Sequence, residues 1–158
     1  MSVVAWIGLG NMGGPMSANM VAAGHEVRGF DLNPDAVAVA VKTGVTAARS
    51  ISDAVADADI VFTMLPKGEH ARAVYFGDEG VLAAADKATL LVDSSTIDID
   101  TAQALHDAAA TAGFRFVDAP VSGGMSGAIR FYTRGKVVTT RWPDPATSEI
   151  DLGFPQMA

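Results

Sequence analysis

Val3-Val4-Ala5-Trp6-Ile7-Gly8-Leu9-Gly10-Asn11-Met12-Gly13 sets an apolar run directly against a glycine-spaced turn. The run predicts a buried strand, and beyond the turn Met16, Met20 and Val21 recur at helical spacing until Gly24 stops them. A strand that turns sharply into a helix leaves the first helical N–H groups unpaired, with the positive end of the dipole facing outward. That arrangement suits an anion, and a pyrophosphate above all. Gly8 permits the tight turn, Gly10 lets phosphates approach the backbone, and Gly13 lets the helix lie close on the strand. The spacing alone is weak, because glycine-rich turns are common and many bind nothing. It gains force from Asp31, which follows a second apolar-rich run, Glu26 to Phe30, and lies 21 residues beyond Gly10. A carboxylate there can accept hydrogen bonds from both hydroxyls of an adenosine ribose. Gly8, Leu9, Gly10, Asn11, Met12, Gly13 and Asp31 are therefore expected to hold a dinucleotide.

Composition bounds the rest. The 158 residues suffice for one domain with a real core and fall short of two full ones. With 49% hydrophobic and 18% charged residues the chain has a globular, not a disordered, composition. A net charge of −7 argues against a nucleic-acid partner, since phosphate backbones are bound by basic patches. No apolar stretch approaches a membrane span, and the N-terminus lacks the basic segment of a signal peptide. The absence of cysteine removes thiolate metal sites and disulfides and agrees with a cytoplasmic location.

Along the chain, strand-like and helix-like segments alternate. Helices are expected from Pro34 to Gly44, Asp53 to Ala58 and Asp98 to Ala112. Strands are expected at Val45 to Ala47, Asp59 to Met64, Thr89 to Asp93 and Phe114 to Val117. Such alternation implies βαβ units, hence a Rossmann-type, doubly wound and mainly parallel α/β sheet. Ligands of these sheets bind beyond the carboxyl ends of the strands. Five loops converge on that edge: Gly8 to Gly13, Asp31, Leu65-Pro66, Ser94-Ser95-Thr96 and Pro120-Val121-Ser122-Gly123-Gly124. Taken singly, each has a plain structural reading as a turn, a cap or a link; their shared edge favours a site.

Trp6 to Met20, Met64-Leu65-Pro66, Asp93-Ser94-Ser95-Thr96-Ile97 and Asp118-Ala119-Pro120-Val121-Ser122-Gly123-Gly124 together resemble, in order and spacing, the motifs of the β-hydroxyacid dehydrogenases. The resemblance covers residues 1–128 and implies NAD-dependent oxidation of a small 3-hydroxy acid. It implies that Leu65 and Pro66 lie along the nicotinamide side, that Thr96 contacts the cofactor, and that Ser122, Gly123 and Gly124 hold the substrate carboxylate. Successive N–H groups in a glycine-rich turn can form such an anion cradle independently of the family. It also implies a homo-oligomer. Asp31 favours NAD over NADP, because a ribose phosphate about 4 Å away would be repelled by roughly 4 kcal/mol at an effective dielectric near 20. Leu32 and Asn33 offer no compensating cation.

After residue 128 the pattern changes. From Ile129 on there are four basic and three acidic residues, so this stretch is slightly positive while residues 1–128 carry all the negative excess. Pro143, Pro145 and Pro155 fall here, and the alanine-rich helical pattern stops. Residues 129–158 are expected to be a non-matching tail, from a frame shift or a truncation, with the family's C-terminal all-helical domain absent. A genuine short strand with a tail is the rival reading. In the family a lysine of that second domain removes the hydroxyl proton; here Lys67, Lys42 and Lys87 read as solvated surface residues, so no catalytic base is assigned. His25, His70 and His106 lack metal-site spacing, and Asp98 and Asp100 read as helix-start residues. A stand-alone NAD-binding module and a methyltransferase-like domain using S-adenosylmethionine remain as alternatives.

Overall fold

The computed structural model describes residues 1–121. Its elements run β1 (Val3–Ile7), α1 (Gly13–Ala22), β2 (Glu26–Phe30), α2 (Pro34–Val41), β3 (Thr46–Ala47) and α3 (Ile51–Val55). They continue with β4 (Ile60–Thr63), α4 (Gly68–Phe76), α5 (Val81–Ala84), β5 (Leu90–Asp93), α6 (Ile99–Thr111) and β6 (Arg115–Asp118). The six strands form one sheet in the order β3-β2-β1-β4-β5-β6, and every pairing is parallel. This is the doubly wound α/β sheet expected from the sequence. The order reverses beside β1, and the resulting crevice is where such sheets take ligands.

β1 is apolar throughout because both of its faces are covered. Val4 and Trp6 join Val27 and Ala40 on one side, with Met16, Met20 and Val21 of α1 packed against them. Ala5 and Ile7 face the other side, among Ala54 and Val55 of α3, Ala71 and Tyr75 of α4, and Leu105 and Ala109 of α6. Trp6 stacks on Phe62 of β4 at 4.8 Å between ring centroids, locking neighbouring strands together on the first face. No helix among the described residues is long and apolar enough to cross a membrane.

The local departures from the sequence reading have physical causes. The third helix starts at Ile51, not Asp53, because Ser50 caps it by accepting the Asp53 N–H at 3.0 Å while the Asp53 carboxylate accepts the Arg49 N–H at 2.8 Å. It ends at Val55, and Asp57 then takes φ 53, in the left-handed region that no helix continues through. α4 and α5 are not among the elements expected from the sequence. α4 buries only Ala71 and Tyr75, so its apolar stripe is too sparse to register as a period. β3 omits Val45, and β6 runs one residue later than expected.

Candidate functional site

The glycine turn is built as its spacing suggested. Gly8 has φ +95, and its N–H donates to the Phe30 carbonyl at 2.9 Å, tying the turn to the end of β2. A Cβ on Gly8 would collide with the Met64 carbonyl, and one on Gly13 would collide with the Gly8 carbonyl. Around Gly10 nothing lies within 4 Å of where a Cβ would stand. Two glycines thus bring protein elements together, while the third leaves open space over the backbone. Met12, the residue before α1, offers no side-chain cap.

Asp31 has both carboxylate oxygens engaged by the backbone. Oδ2 accepts the Leu9 N–H at 2.7 Å and Oδ1 accepts the Asn33 N–H at 2.8 Å. The side chain is therefore held in place by the very turn it faces, and each oxygen keeps lone-pair capacity for a further donor. Gly8, Gly10, Asn11, Met12, Gly13, Asp31, Leu65 and Pro66 all line one cavity of about 540 Å³. That volume lies within the ordinary range of ligand pockets.

Two expected site residues stand apart from this cavity. The Leu9 side chain is only 4% exposed and belongs to the core, so Leu9 reaches the site only through the N–H that fixes Asp31. Thr96 is exposed at the mouth of the β5–α6 loop and is not part of the cavity wall. Ser122, Gly123 and Gly124 lie outside the described residues, as does the expected boundary at 128.

Beneath Leu65 runs a buried polar chain that the sequence did not reveal. Asp93 Oδ1 accepts the Thr63 hydroxyl at 2.6 Å, the Ser95 hydroxyl at 2.6 Å and the Ser95 N–H at 3.2 Å. Thr63 Oγ1 stands 3.0 Å from the Tyr75 hydroxyl, and Ser95 Oγ accepts the Leu65 N–H at 2.9 Å. The chain thus runs from α4 through β4 and β5 to the turn that lines the cavity. Burial pushes the Asp93 carboxyl above the usual carboxylate range, and the hydrogen bonds from Ser95 and Thr63 offset part of this. Burial, reinforced by the Asp93 charge, raises the Tyr75 phenol far above its ordinary value. Asp118, exposed and paired with Asp93 in the β5–β6 register, is raised by local desolvation and then by the Asp93 charge. A signal did exist: Thr63 and Asp93 are polar residues at the ends of otherwise apolar strands.

The remaining candidates fall as read. Lys67 is exposed and pairs with Glu69 at 3.6 Å, and Lys87 lies 3.9 Å over the Phe114 ring. Asp98 caps α6 by accepting the Thr101 N–H at 2.8 Å, which holds its carboxyl below the usual range.

Residues 3–132 match the family described as the NAD binding domain of 6-phosphogluconate dehydrogenase. The chain belongs to that family. Its cofactor is accordingly a nicotinamide dinucleotide, which fits an open turn over Gly10 facing an acidic side chain. Among curated relatives, a probable 3-hydroxyisobutyrate dehydrogenase of Mycobacterium tuberculosis is 54% identical over 149 residues, covering 92% of this chain and 50% of the relative. That alignment takes in residues past 128. The 3-hydroxyisobutyrate dehydrogenase of Pseudomonas aeruginosa is 48% identical over 128 residues, covering 81% of this chain and 43% of the relative. A solved structure of Mycobacterium tuberculosis 3-hydroxyisobutyrate dehydrogenase with L-serine superposes with a TM-score of 0.77 at 53% identity, over 82% of this chain and 44% of that one. The chain spans about half the length of the curated relatives it matches.

Proposed function

We propose that the chain supplies the NAD-binding part of a dehydrogenase that oxidises 3-hydroxyisobutyrate to methylmalonate semialdehyde, a step of valine degradation in the cytoplasm. The observation that carries this reading is the single cavity shared by the Gly8–Gly13 turn, Asp31 and Leu65-Pro66. Bound NAD supplies the hydride acceptor. Around it, this chain's residues bind and orient. The turn cradles the diphosphate, and Asp31 takes the adenosine ribose hydroxyls on the lone pairs left by Leu9 and Asn33. Leu65 and Pro66 border the nicotinamide half, with Thr96 nearby. Ser122, Gly123 and Gly124 hold the carboxylate of the small hydroxy acid. The charge on Asp31 selects NAD over NADP.

A Pseudomonas aeruginosa relative is named as an NAD-dependent L-serine dehydrogenase, so another small 3-hydroxy acid is the competing assignment. No lysine among the described residues stands as a proton acceptor at the cavity, and the chain by itself is expected to bind NAD with little turnover. A stand-alone NAD-binding module would behave in the same way in the absence of any partner segment.

Calorimetry of the full chain with NAD, NADP and S-adenosylmethionine tests the cofactor, and NAD reduction with 3-hydroxyisobutyrate or L-serine tests the activity. NAD should bind best, and Asp31→Ala should weaken it. Absence of NAD binding, or unchanged affinity in that variant, would overturn the proposal. Robust turnover by the chain alone would overturn the assignment of little or no activity.

A further inference from the structure

Half of the sheet has a face that no described helix covers. Side chains alternate along a strand, so Val61, Leu91 and Phe116 turn to the core that contains α3, α4 and α6, and their neighbours turn away from it. Those neighbours are Ile60 and Phe62 of β4, Leu90 and Val92 of β5, and Arg115 and Val117 of β6, in two level rows. On this side α1 and α2 pack over β1, β2 and β3. Phe62 reaches Trp6, but Ile60, Leu90, Val92 and Val117 belong to neither core. Arg115 sends its guanidinium to the Ala88 carbonyl at 2.8 Å. Val92 is buried between its register partners Phe62 and Val117, and Val117 is 43% exposed. Parallel strands are ordinarily covered on both faces, so this apolar patch calls for a cover.

Its size decides what the cover is. Three strands about 4.8 Å apart, with four residues each rising about 3.3 Å, make a patch on the order of 200 Å². A stable interface between two copies takes about 800 Å² from each, far more than this patch offers. A segment of the same chain needs less area, because its tether spares the loss of translational and rotational freedom. Residues 122–158 follow directly after β6, the strand that borders the patch. The stretch from Val121 to Ile129 can extend about 26 Å, roughly twice the width of the patch. Beyond it Ile129, Phe131, Trp142, Ile150, Leu152 and Phe154 supply apolar side chains. The slight positive charge of residues 129–158 complements a body that carries the negative excess, with Asp59 just before β4 and Asp118 at the end of β6.

We propose that residues 129–158 dock as an intramolecular cover on the β4–β5–β6 face, with Phe131, Trp142 and Phe154 set against Phe62, Val92 and Val117. The proposal is independent of the dinucleotide reading. The chain contains no cysteine, so Val117→Cys in the full chain introduces a single thiol on this face. Phe76→Cys is the reference, since Phe76 is 42% exposed on α4, away from the patch. A maleimide should label the Val117→Cys thiol at least about tenfold more slowly than the reference, the protection given by about 1.4 kcal/mol of docking. Adding Phe131→Ser, Trp142→Ser and Phe154→Ser should bring its rate to that of the reference.

Equal labelling rates in the two single-thiol chains overturn the proposal, and so does protection that survives the three serine substitutions. Protection that grows with protein concentration, together with a dimer in sedimentation, overturns it in favour of a second copy. A further measurement stands even if the serine variant unfolds. Benzophenone maleimide attached to the Val117→Cys thiol and then illuminated should join it to residues 129–158 of the same chain. Cross-links only to residues 1–121, or only between chains, overturn the proposal.

Discussion

The two sides of β1 build the same cavity by opposite means. Towards β2, the wall is backbone: Gly8, Gly10 and Gly13 shape it, and one carboxylate, Asp31, is held by two N–H groups from residues 9 and 33. Towards β4 and β5, the wall is set by side chains, through a buried relay of Tyr75, Thr63, Asp93 and Ser95 that ends on the Leu65 N–H. The first side depends on the absence of atoms, and the second on polar atoms that must all be paired. The first should therefore fail by collision and the second by leaving donors unsatisfied.

Gly13→Ala is the severest way to break the first side. The new Cβ collides with the Gly8 carbonyl, a backbone atom that cannot swing away, and the loss in urea unfolding should be about 3 kcal/mol or more. Asp93→Ala does comparable harm on the second side by stripping the acceptor from two hydroxyls and one N–H. About 2–3 kcal/mol should be lost, and less in Asp93→Asn, which keeps one carbonyl oxygen. Stability near that of the parent in Asp93→Ala would show that the relay supports nothing.

Asp31→Ala should cost less in unfolding, about 1–2 kcal/mol, because its two N–H partners lie near the surface where water replaces the carboxylate. Its larger effect should be on NAD affinity, and that contrast separates the two walls.

A smaller effect depends on pH. The folded chain holds the Asp93 proton more tightly than the unfolded chain does. Its contribution is therefore full below the ordinary carboxylate range and is lost as pH rises through the raised folded value. Asp118, shifted in the same direction, adds to this decline. Asp93→Asn should flatten that part of the stability-versus-pH curve, whereas Asp31→Ala should leave it intact. The smallest effect belongs to Asp57, whose φ of 53 lies in the connection between the two sides. Asp57→Gly should change stability by less than about 1 kcal/mol, towards greater stability, with NAD affinity unaltered.

These contrasts also explain what could be read in advance. The glycine turn, Asp31 and the strand alternation were legible because their constraints are local: a turn needs particular residues within a few positions, and buried parallel strands are uniformly apolar. Leu65 and Pro66 reached the cavity as expected. The pairing within the relay was not legible, since Thr63 and Asp93 lie 30 positions apart and meet only when a crossover folds the chain back. α4 escaped notice for a related reason. Its buried residues are only Ala71 and Tyr75, and the face that matters for the cavity, His70 with Ala73 and Val74, is not an apolar stripe. Leu9 and Thr96 hold motif positions outside the cavity wall: Leu9 meets the site through its N–H, and Thr96 is exposed after β5.

The sequence by itself determined the doubly wound sheet and the edge on which a dinucleotide would lie, because hydrophobic period and glycine spacing act between near neighbours. Only the tertiary structure decided which side chains face the cavity and which hold the wall from behind. Those assignments depend on helix rotation and strand register, which are set by packing between residues far apart in the chain.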